Sequence, residues 1–190
     1  MKKMVSKSPR RPKNPTSAAR VPNLPSPGIL QTPEQVIHYY DRLGFDVDSS
    51  IPVEKIIESN PDLDLRYVDL GINDAYIRKI PDSRFEIGVN DKHHINRQRF
   101  SMAHEYGHYL LHRDKIHEMP VGEQILHRNG DKNRIEYQAN SFAAELLMPE
   151  DLVRKSLRSA GGNLKKMADF LGVSKESLKY RLEALGYKVT

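Results

Sequence analysis

The chain has 190 residues, 38% of them apolar, and a formal net charge of +5 at pH 7. It contains no cysteine, so disulfides are excluded, and any bound transition metal would have to be held by histidine and carboxylate side chains. No apolar run approaches the roughly 18 residues of a membrane span, so we expect a cytoplasmic protein without a membrane partner.

The first 31 residues differ in composition from the rest of the chain. Residues 1–20 hold seven basic residues and no acidic one, and prolines and serines recur up to Pro27. Such a segment cannot bury enough apolar surface to offset its conformational entropy, so residues 1–31 are predicted to form a disordered basic arm. A solubilising tail explains this arm more simply than a contact with nucleic acid or with a partner.

Ordered structure is predicted to begin with two short helices. Thr32 is a suitable N-cap for the first helix, with Pro33 at the first helical position, and Gly44 is a suitable stop signal. The second helix follows Pro52, where apolar residues recur three and four positions apart.

Three short strands are predicted after these helices, because apolar and charged residues then alternate. Three strands in succession indicate a small antiparallel sheet. An edge strand at residues 84–90 would be able to pair with an extended peptide. The strands fall at about residues 63–67, 75–77 and 84–90.

Two long helices follow, over about residues 96–112 and 133–147, each with apolar residues recurring every three or four positions. A polar loop that contains Gly122 and Gly130 separates them. The segment Met148-Pro149 ends the second long helix, and Pro149 opens another one. With the predicted strands, these helices indicate an α+β fold that is mostly helical.

The first long helix contains the sequence His104-Glu105-Tyr-Gly-His108. Residues four apart on a helix point in similar directions, so both imidazoles are able to reach one metal ion. Glu105 lies beside that ion rather than on it, which leaves its carboxylate free to accept a proton from a metal-bound water. We expect zinc at this position, with manganese as the alternative.

A third ligand is needed, and Glu136 in the second long helix is the candidate we favour. Asn140 follows four residues later on the same helix face and is able to support a histidine ligand. Three other residues were weighed for the same role: Glu145, which lies opposite Glu136 on the helix, Asp114, and His112. His112 lies two turns from His104 and is expected to be a hydrated histidine at the helix end.

Two segments together resemble the hallmark sequences of the ImmA/IrrE-type metallopeptidases. They are residues 99–112 (RFSMAHEYGHYLLH) and 136–149 (EYQANSFAAELLMP), and the resemblance extends from about Thr32 to Pro149. It implies a zincin-like domain of the gluzincin type, with His104, His108 and Glu136 as zinc ligands and Glu105 as the catalytic base. It also implies an intracellular regulatory protease whose protein substrate is a helix-turn-helix transcriptional repressor.

The last two predicted helices, at residues 163–171 and 175–185, resemble a helix-turn-helix. Residues 150–190 carry nine basic and five acidic residues, an excess that suits a contact with DNA. Lys175, Lys179 and Arg181 lie on the second of these helices and are the candidates for that contact. A structural cap formed by the same helices explains the pattern almost as well.

The sequence therefore predicts a zinc-dependent endopeptidase of three parts: an arm (1–31), a metallopeptidase domain (32–149) and a C-terminal helical segment (150–190). By residue type alone, Tyr109, Tyr137 and His94 are candidates for a second electrophile. The alternative function is a DNA-binding or protein-binding regulator, such as an antitoxin or adaptor, whose metal site is sensory or non-catalytic. The intact Glu105 favours the enzyme, since a structural metal site needs no base at that position.

Overall fold

A computed structural model describes residues 27–116 and 131–189 of the chain. Most of the predicted arm and the polar loop at 117–130 lie outside these residues. The described residues form seven α-helices and one three-stranded sheet, which confirms the predicted α+β class. The elements are α1 (Pro33–Arg42), α2 (Val53–Ser59), β1 (Leu63–Val68), β2 (Ala75–Ile80), β3 (Arg84–Asn90), α3 (Ile95–Leu111), α4 (Asp131–Leu147), α5 (Glu150–Ala160), α6 (Leu164–Leu171) and α7 (Lys175–Ala184).

The helix ends follow the capping signals in the sequence. Thr32 caps α1 through a capping box with Gln35, and Ser174 accepts a hydrogen bond from the Ser177 backbone N–H at the start of α7. Gly161 and Gly172 end α5 and α6 in the left-handed conformation, with φ of 57° and 66°. These local signals explain why the predicted bounds of the helices are confirmed to within about two residues.

The sheet has the strand order β1-β3-β2. The β2–β3 pair is antiparallel and is closed by a tight turn in which Asp82 and Ser83 have positive φ. The β1–β3 pair is parallel, so the expectation of a purely antiparallel sheet is wrong for one of the two pairings. Alternating apolar residues predict strands, but they specify neither the order of the strands nor their direction.

The central position of β3 also corrects the proposed peptide-binding edge. Residues 84–90 have hydrogen-bonded neighbours on both sides and are almost entirely buried, so they offer no open edge to a substrate. Within the described residues, the open edges of the sheet belong to β1 and β2.

Helix α3 lies between the sheet and α4 and contacts both. Gly107 allows the close approach of α4, because a Cβ atom at this position would lie 3.2 Å from the Phe142 ring and 3.4 Å from the Ala139 Cα atom. Tyr106 and Phe142 pack edge to face across the same crossing. The crossing of α3 and α4 therefore fixes the positions of the side chains that both helices project.

The C-terminal helices are fastened to the first half of α3. The Arg99 guanidinium donates to the carbonyl oxygens of Gly172 (2.9 Å) and Ile51 (2.8 Å), and the Asn96 amide donates to the Val173 carbonyl (2.9 Å). Buried residues of α6 and α7 belong to the same hydrophobic core as those of α3 and α4. The division at Pro149 stays a prediction, and the core is continuous across it.

Candidate metal centre

Three side chains from α3 and α4 converge at the crossing of these helices. His104 and His108 lie one turn apart on α3, with their Nε2 atoms 3.0 Å from each other. Glu136 extends from α4 between them, with Oε2 3.3 Å from His104 Nε2 and Oε1 3.5 Å from His108 Nε2. One ligand atom from each of the three residues is thus able to face a common point.

The spacing of these three atoms fits a tetrahedral zinc ion. Zinc–nitrogen and zinc–oxygen bonds of about 2.0–2.1 Å place neighbouring ligand atoms of a tetrahedron about 3.3 Å apart. The observed separations of 3.0, 3.3 and 3.5 Å bracket that value. Two imidazoles and one carboxylate are also the donor set of known catalytic zinc sites, in which the fourth position holds water or substrate.

Glu105 follows His104 directly and is buried, with 6% of its surface exposed. Its Oε2 atom has no hydrogen-bond partner among the described residues. Burial raises the pKa of this carboxyl above its ordinary value, although the positive charges of His104 and His108 act in the opposite direction. A buried carboxyl with an oxygen that has no protein partner is suited to exchange a proton with a neighbouring group, and its raised pKa makes the carboxylate more basic.

The charges within the cluster are complementary. Hydrogen bonds from His104 and His108 hold the pKa of Glu136 well below its usual range. Burial acts to lower the pKa of His104, but the hydrogen bond that His104 donates to Glu136 and the charge of Glu105 outweigh it, so that this pKa is raised. The metal-free cluster therefore favours an ionised Glu136 next to a protonated His104.

Asn140 lies next to the cluster, as its position on the face of Glu136 predicted. Its Oδ1 atom is 3.0 Å from His104 Nδ1, the ring nitrogen that faces away from the other two ligand atoms. The contact is suited to hold the His104 ring in place, and a supporting role for Asn140 stays a prediction.

The expectation for His112 is wrong. This residue is not a hydrated histidine at the helix end but is buried, with 6% of its surface exposed. Its Nδ1 atom is 3.2 Å from His108 Nδ1, and its Nε2 atom is 3.1 Å from Gln138 Oε1. Helical spacing alone did not show that α4 covers the end of α3. Gln138 was missed for the same reason, since nothing in its local sequence distinguishes it.

The other residues weighed for the site are engaged elsewhere or lie on the surface. Among the candidates for a second electrophile, the Tyr109 hydroxyl donates to Asp62 and accepts from Arg113. His94 caps the start of α3, about 15 Å along the helix from His104, and Tyr137 is exposed.

The rival third ligands also lie elsewhere. Glu145 faces Arg181. Asp114 lies in the short 3₁₀ turn that follows α3.

The predicted DNA-contacting residues divide into two groups. Lys175 and Lys179 are exposed on α7. Arg181 is engaged within the fold, because its guanidinium donates to the Met148 carbonyl at 3.1 Å and lies 3.6 Å from the Glu145 carboxylate. A DNA contact of Arg181 stays a prediction, and its side chain turns towards the end of α4.

The fold and the convergent histidine–carboxylate cluster resemble those of one class of protein, the metallopeptidases. Residues 59–183 match the family model Peptidase_M78, described as the IrrE N-terminal-like domain. The chain belongs to this family, which confirms the resemblance found in the sequence. The match includes His104, His108 and Glu136, and it continues through α5, α6 and most of α7.

Two curated relatives carry names that agree with this class. The chain is 31% identical over 130 residues to the radiation response metalloprotease IrrE of Deinococcus radiodurans, an alignment of 66% of this chain and 37% of the relative. It is 28% identical over 106 residues to the metallopeptidase ImmA of Bacillus subtilis, covering 54% of this chain and 58% of the relative. The chain thus spans only part of the length of each relative.

In the part of the chain that the structure describes, no helix is both long enough and apolar enough to cross a bilayer.

Proposed function

We propose that the protein is a zinc-dependent endopeptidase in which His104, His108 and Glu136 hold the metal. The observation that carries this proposal is the spacing of the three ligand atoms, which matches the edges of a zinc tetrahedron. Manganese is the alternative metal. The names of the two relatives and the membership of the family support the same activity.

Bound zinc would supply Lewis acidity, which polarises a peptide carbonyl and makes a water molecule more acidic. Glu105 accepts a proton from the attacking water through its free Oε2 atom, and then returns it to the nitrogen of the leaving amine. Burial raises the pKa of Glu105, which makes its carboxylate a stronger base for the first step. Asn140 accepts from His104 Nδ1 and keeps that ring aimed at the metal position.

The proposed substrate is a specific regulatory protein of the cytoplasm, such as a helix-turn-helix repressor. The resemblance to the ImmA/IrrE-type metallopeptidases supports this substrate class, and the relative named for a radiation response supports a regulatory role. The contact between the protein and its substrate would lie at the open side of the cluster, where His104 and Glu136 remain partly exposed.

Glu105→Gln tests the catalytic proposal. This variant preserves shape and removes the base, so we expect zinc binding and fold to be kept and cleavage to fall by about 10²–10⁴-fold. Zinc-loaded protein is incubated with the product of the neighbouring regulator gene, and fragments are counted by mass spectrometry. Glu183→Gln, an exposed change on α7, is the matched control and is expected to behave as the wild type.

Cleavage that persists in Glu105→Gln would contradict the catalytic proposal. If instead the cellular function persists in this variant while cleavage is lost, the alternative is favoured, namely a DNA-binding or protein-binding regulator with a sensory metal site. A DNA contact through α7 would depend on Lys175 and Lys179. Mobility shifts across a salt series test it, because loss of a phosphate contact lowers the salt dependence of binding.

A further inference from the structure

A chain of three polar groups runs away from the metal cluster on the side of His108. His108 Nδ1 lies 3.2 Å from His112 Nδ1, and His112 Nε2 lies 3.1 Å from Gln138 Oε1. Both histidines are buried, with 5% and 6% of their surfaces exposed, whereas Gln138 is exposed. The contacts join the last turn of α3 to α4 beside the residue that supplies the carboxylate ligand.

The direction of every hydrogen bond in this chain follows from the position of the metal cluster. His108 presents Nε2 to His104 and Glu136, so as a ligand it must carry its proton on Nδ1. That N–H points at His112 Nδ1, which must therefore be the acceptor. The proton of neutral His112 is then on Nε2, where it meets the Gln138 carbonyl oxygen as an acceptor. A single assignment of tautomers satisfies all three groups.

The two histidine ligands are supported in the same way from different directions. Asn140 on α4 offers an oxygen to Nδ1 of His104, and His112, the residue that caps the end of α3, offers a nitrogen to Nδ1 of His108. An acceptor at this second nitrogen fixes the tautomer and the ring orientation of a metal-binding histidine and makes the ligand atom more basic. Without such an acceptor at His108, a buried N–H would be left without a partner.

We infer that His112 is a positioning residue of the metal site, which holds His108 in the Nδ1–H tautomer and is itself oriented by Gln138. This inference rests on the proposed function, because it takes His108 Nε2 as a metal ligand. It assigns His112 no contact with substrate.

Two variants of nearly equal size separate this role from simple packing. In His112→Asn the side-chain oxygen is able to occupy the position of the lost Nδ1 and still accept from His108. His112→Leu has a similar shape and no acceptor. We expect zinc affinity, measured by competition with a chromophoric chelator, to fall about 10–100-fold in the leucine variant. The asparagine variant is expected to recover most of that loss.

The unfolding of both variants in urea with excess chelator provides the control for stability, because it reports folding without metal. Gln138→Leu, which leaves the His112 acceptor in place, is expected to weaken zinc binding less than His112→Leu. If the leucine variant fails to fold, the wild type decides through long-range proton–nitrogen NMR spectra of its histidines. In the zinc-bound protein, His108 must then be protonated at Nδ1 and His112 at Nε2.

The outcomes separate the two proposals. Zinc affinity in His112→Leu equal to that of the wild type would overturn the inference, as would an asparagine variant as weak as the leucine variant, or the opposite tautomers in the spectra. All three results leave the proposed function standing. A wild-type protein that binds no divalent metal would overturn the proposed function together with the inference.

Discussion

The two halves of helix α3 use polar residues in opposite ways. In the first half, Asn96 and Arg99 donate to the backbone carbonyl oxygens of Ile51, Gly172 and Val173, so these side chains hold segments of the fold together. In the second half, His104 Nε2 and His108 Nε2 face each other and the Glu136 carboxylate, and the Oε2 atom of buried Glu105 has no partner among the described residues. Polar side chains bonded to the backbone indicate a structural role, and convergent titratable groups indicate a chemical one.

The largest expected effect comes from removing the metal. This should abolish the chemistry of the second half of α3 and leave the structural contacts of its first half intact. Dialysis against a strong chelator is expected to abolish peptide hydrolysis, because Glu105 alone cannot polarise a carbonyl. Circular dichroism is expected to show the same helix content, since one continuous hydrophobic core does not depend on the metal cluster. Added zinc should restore cleavage. Full peptidase activity in the metal-free protein would refute the proposal that the second half of α3 carries metal-dependent chemistry.

Arg99→Met is the converse change and should affect stability rather than zinc binding. It leaves the Gly172 and Ile51 carbonyl oxygens without their charged donor, so we expect a loss of about 2–4 kcal/mol in the free energy of unfolding in urea. Arg97→Met on the same helix is the control. Its partner Asp74 lies at the surface, and an exposed ion pair contributes about 1 kcal/mol or less. Equal losses in both variants would contradict the comparison.

The pH dependence of zinc binding sharpens the assignment of the second half. Because the pKa of His104 lies above its ordinary value of 6.5 in the metal-free protein, zinc must displace a proton near neutral pH. The dissociation constant should therefore rise about tenfold for each pH unit below that raised pKa. Isothermal titration calorimetry in buffers of different ionisation enthalpy measures the released proton directly. If zinc binding released no proton at pH 6.5, the raised pKa of His104 and its role as a zinc ligand would be contradicted.

The same shifts set the stability of the metal-free protein. The raised pKa of His104 contributes stability that is fully present below about pH 6.5 and is lost as the pH rises through the raised value. The lowered pKa of Glu136 contributes stability above its ordinary value of 4.5, and this is lost as the pH falls. The raised pKa of Glu105 acts in the opposite direction, because its contribution to stability is lost as the pH rises above 4.5. Urea midpoints of Glu105→Gln, measured with excess chelator, should therefore be highest between about pH 4.5 and 6.5.

The smallest effects concern α7. Arg181→Met removes a donor to the Met148 carbonyl and a charge next to Glu145, so we expect a loss of about 1–2 kcal/mol in the free energy of unfolding. Lys179→Met changes an exposed side chain and should stay within about 0.5 kcal/mol. Thermal melts of the two variants measure the difference. A larger loss of stability in Lys179→Met than in Arg181→Met would contradict the role of Arg181 in attaching α7 to the end of α4.

The local parts of this fold were predictable, because caps, glycine stops and apolar periodicity are properties of neighbouring residues. Thr32, Gly172 and the spacing of His104 and His108 are of this kind. Glu136 comes from a different helix and was the favoured third ligand because it shares a helix face with Asn140, and the family resemblance implies the same residue.

The features that the sequence did not reveal all concern contacts between distant segments. The strand order of the sheet, the burial of His112 under α4 and the turn of Arg181 towards Met148 depend on how the elements pack. An exposed basic side chain and one that is hydrogen-bonded within the fold have the same local pattern in the sequence. Only the packed structure distinguishes Lys179 from Arg181 on α7.

The missing side chain at Gly107 has a consequence for how this protein tolerates change. A single methyl group there would lie 3.2–3.3 Å from Phe142 side-chain atoms, which would have to move by a few tenths of an ångström, and 3.4 Å from the Ala139 Cα atom. Glu136 and Asn140 project from the same stretch of α4, so any movement of α4 that follows would change their distances to the imidazoles of α3. A residue that contacts none of the three ligand atoms thus helps to set the distances between them. A larger residue at position 107 would change those distances without altering His104, His108 or Glu136.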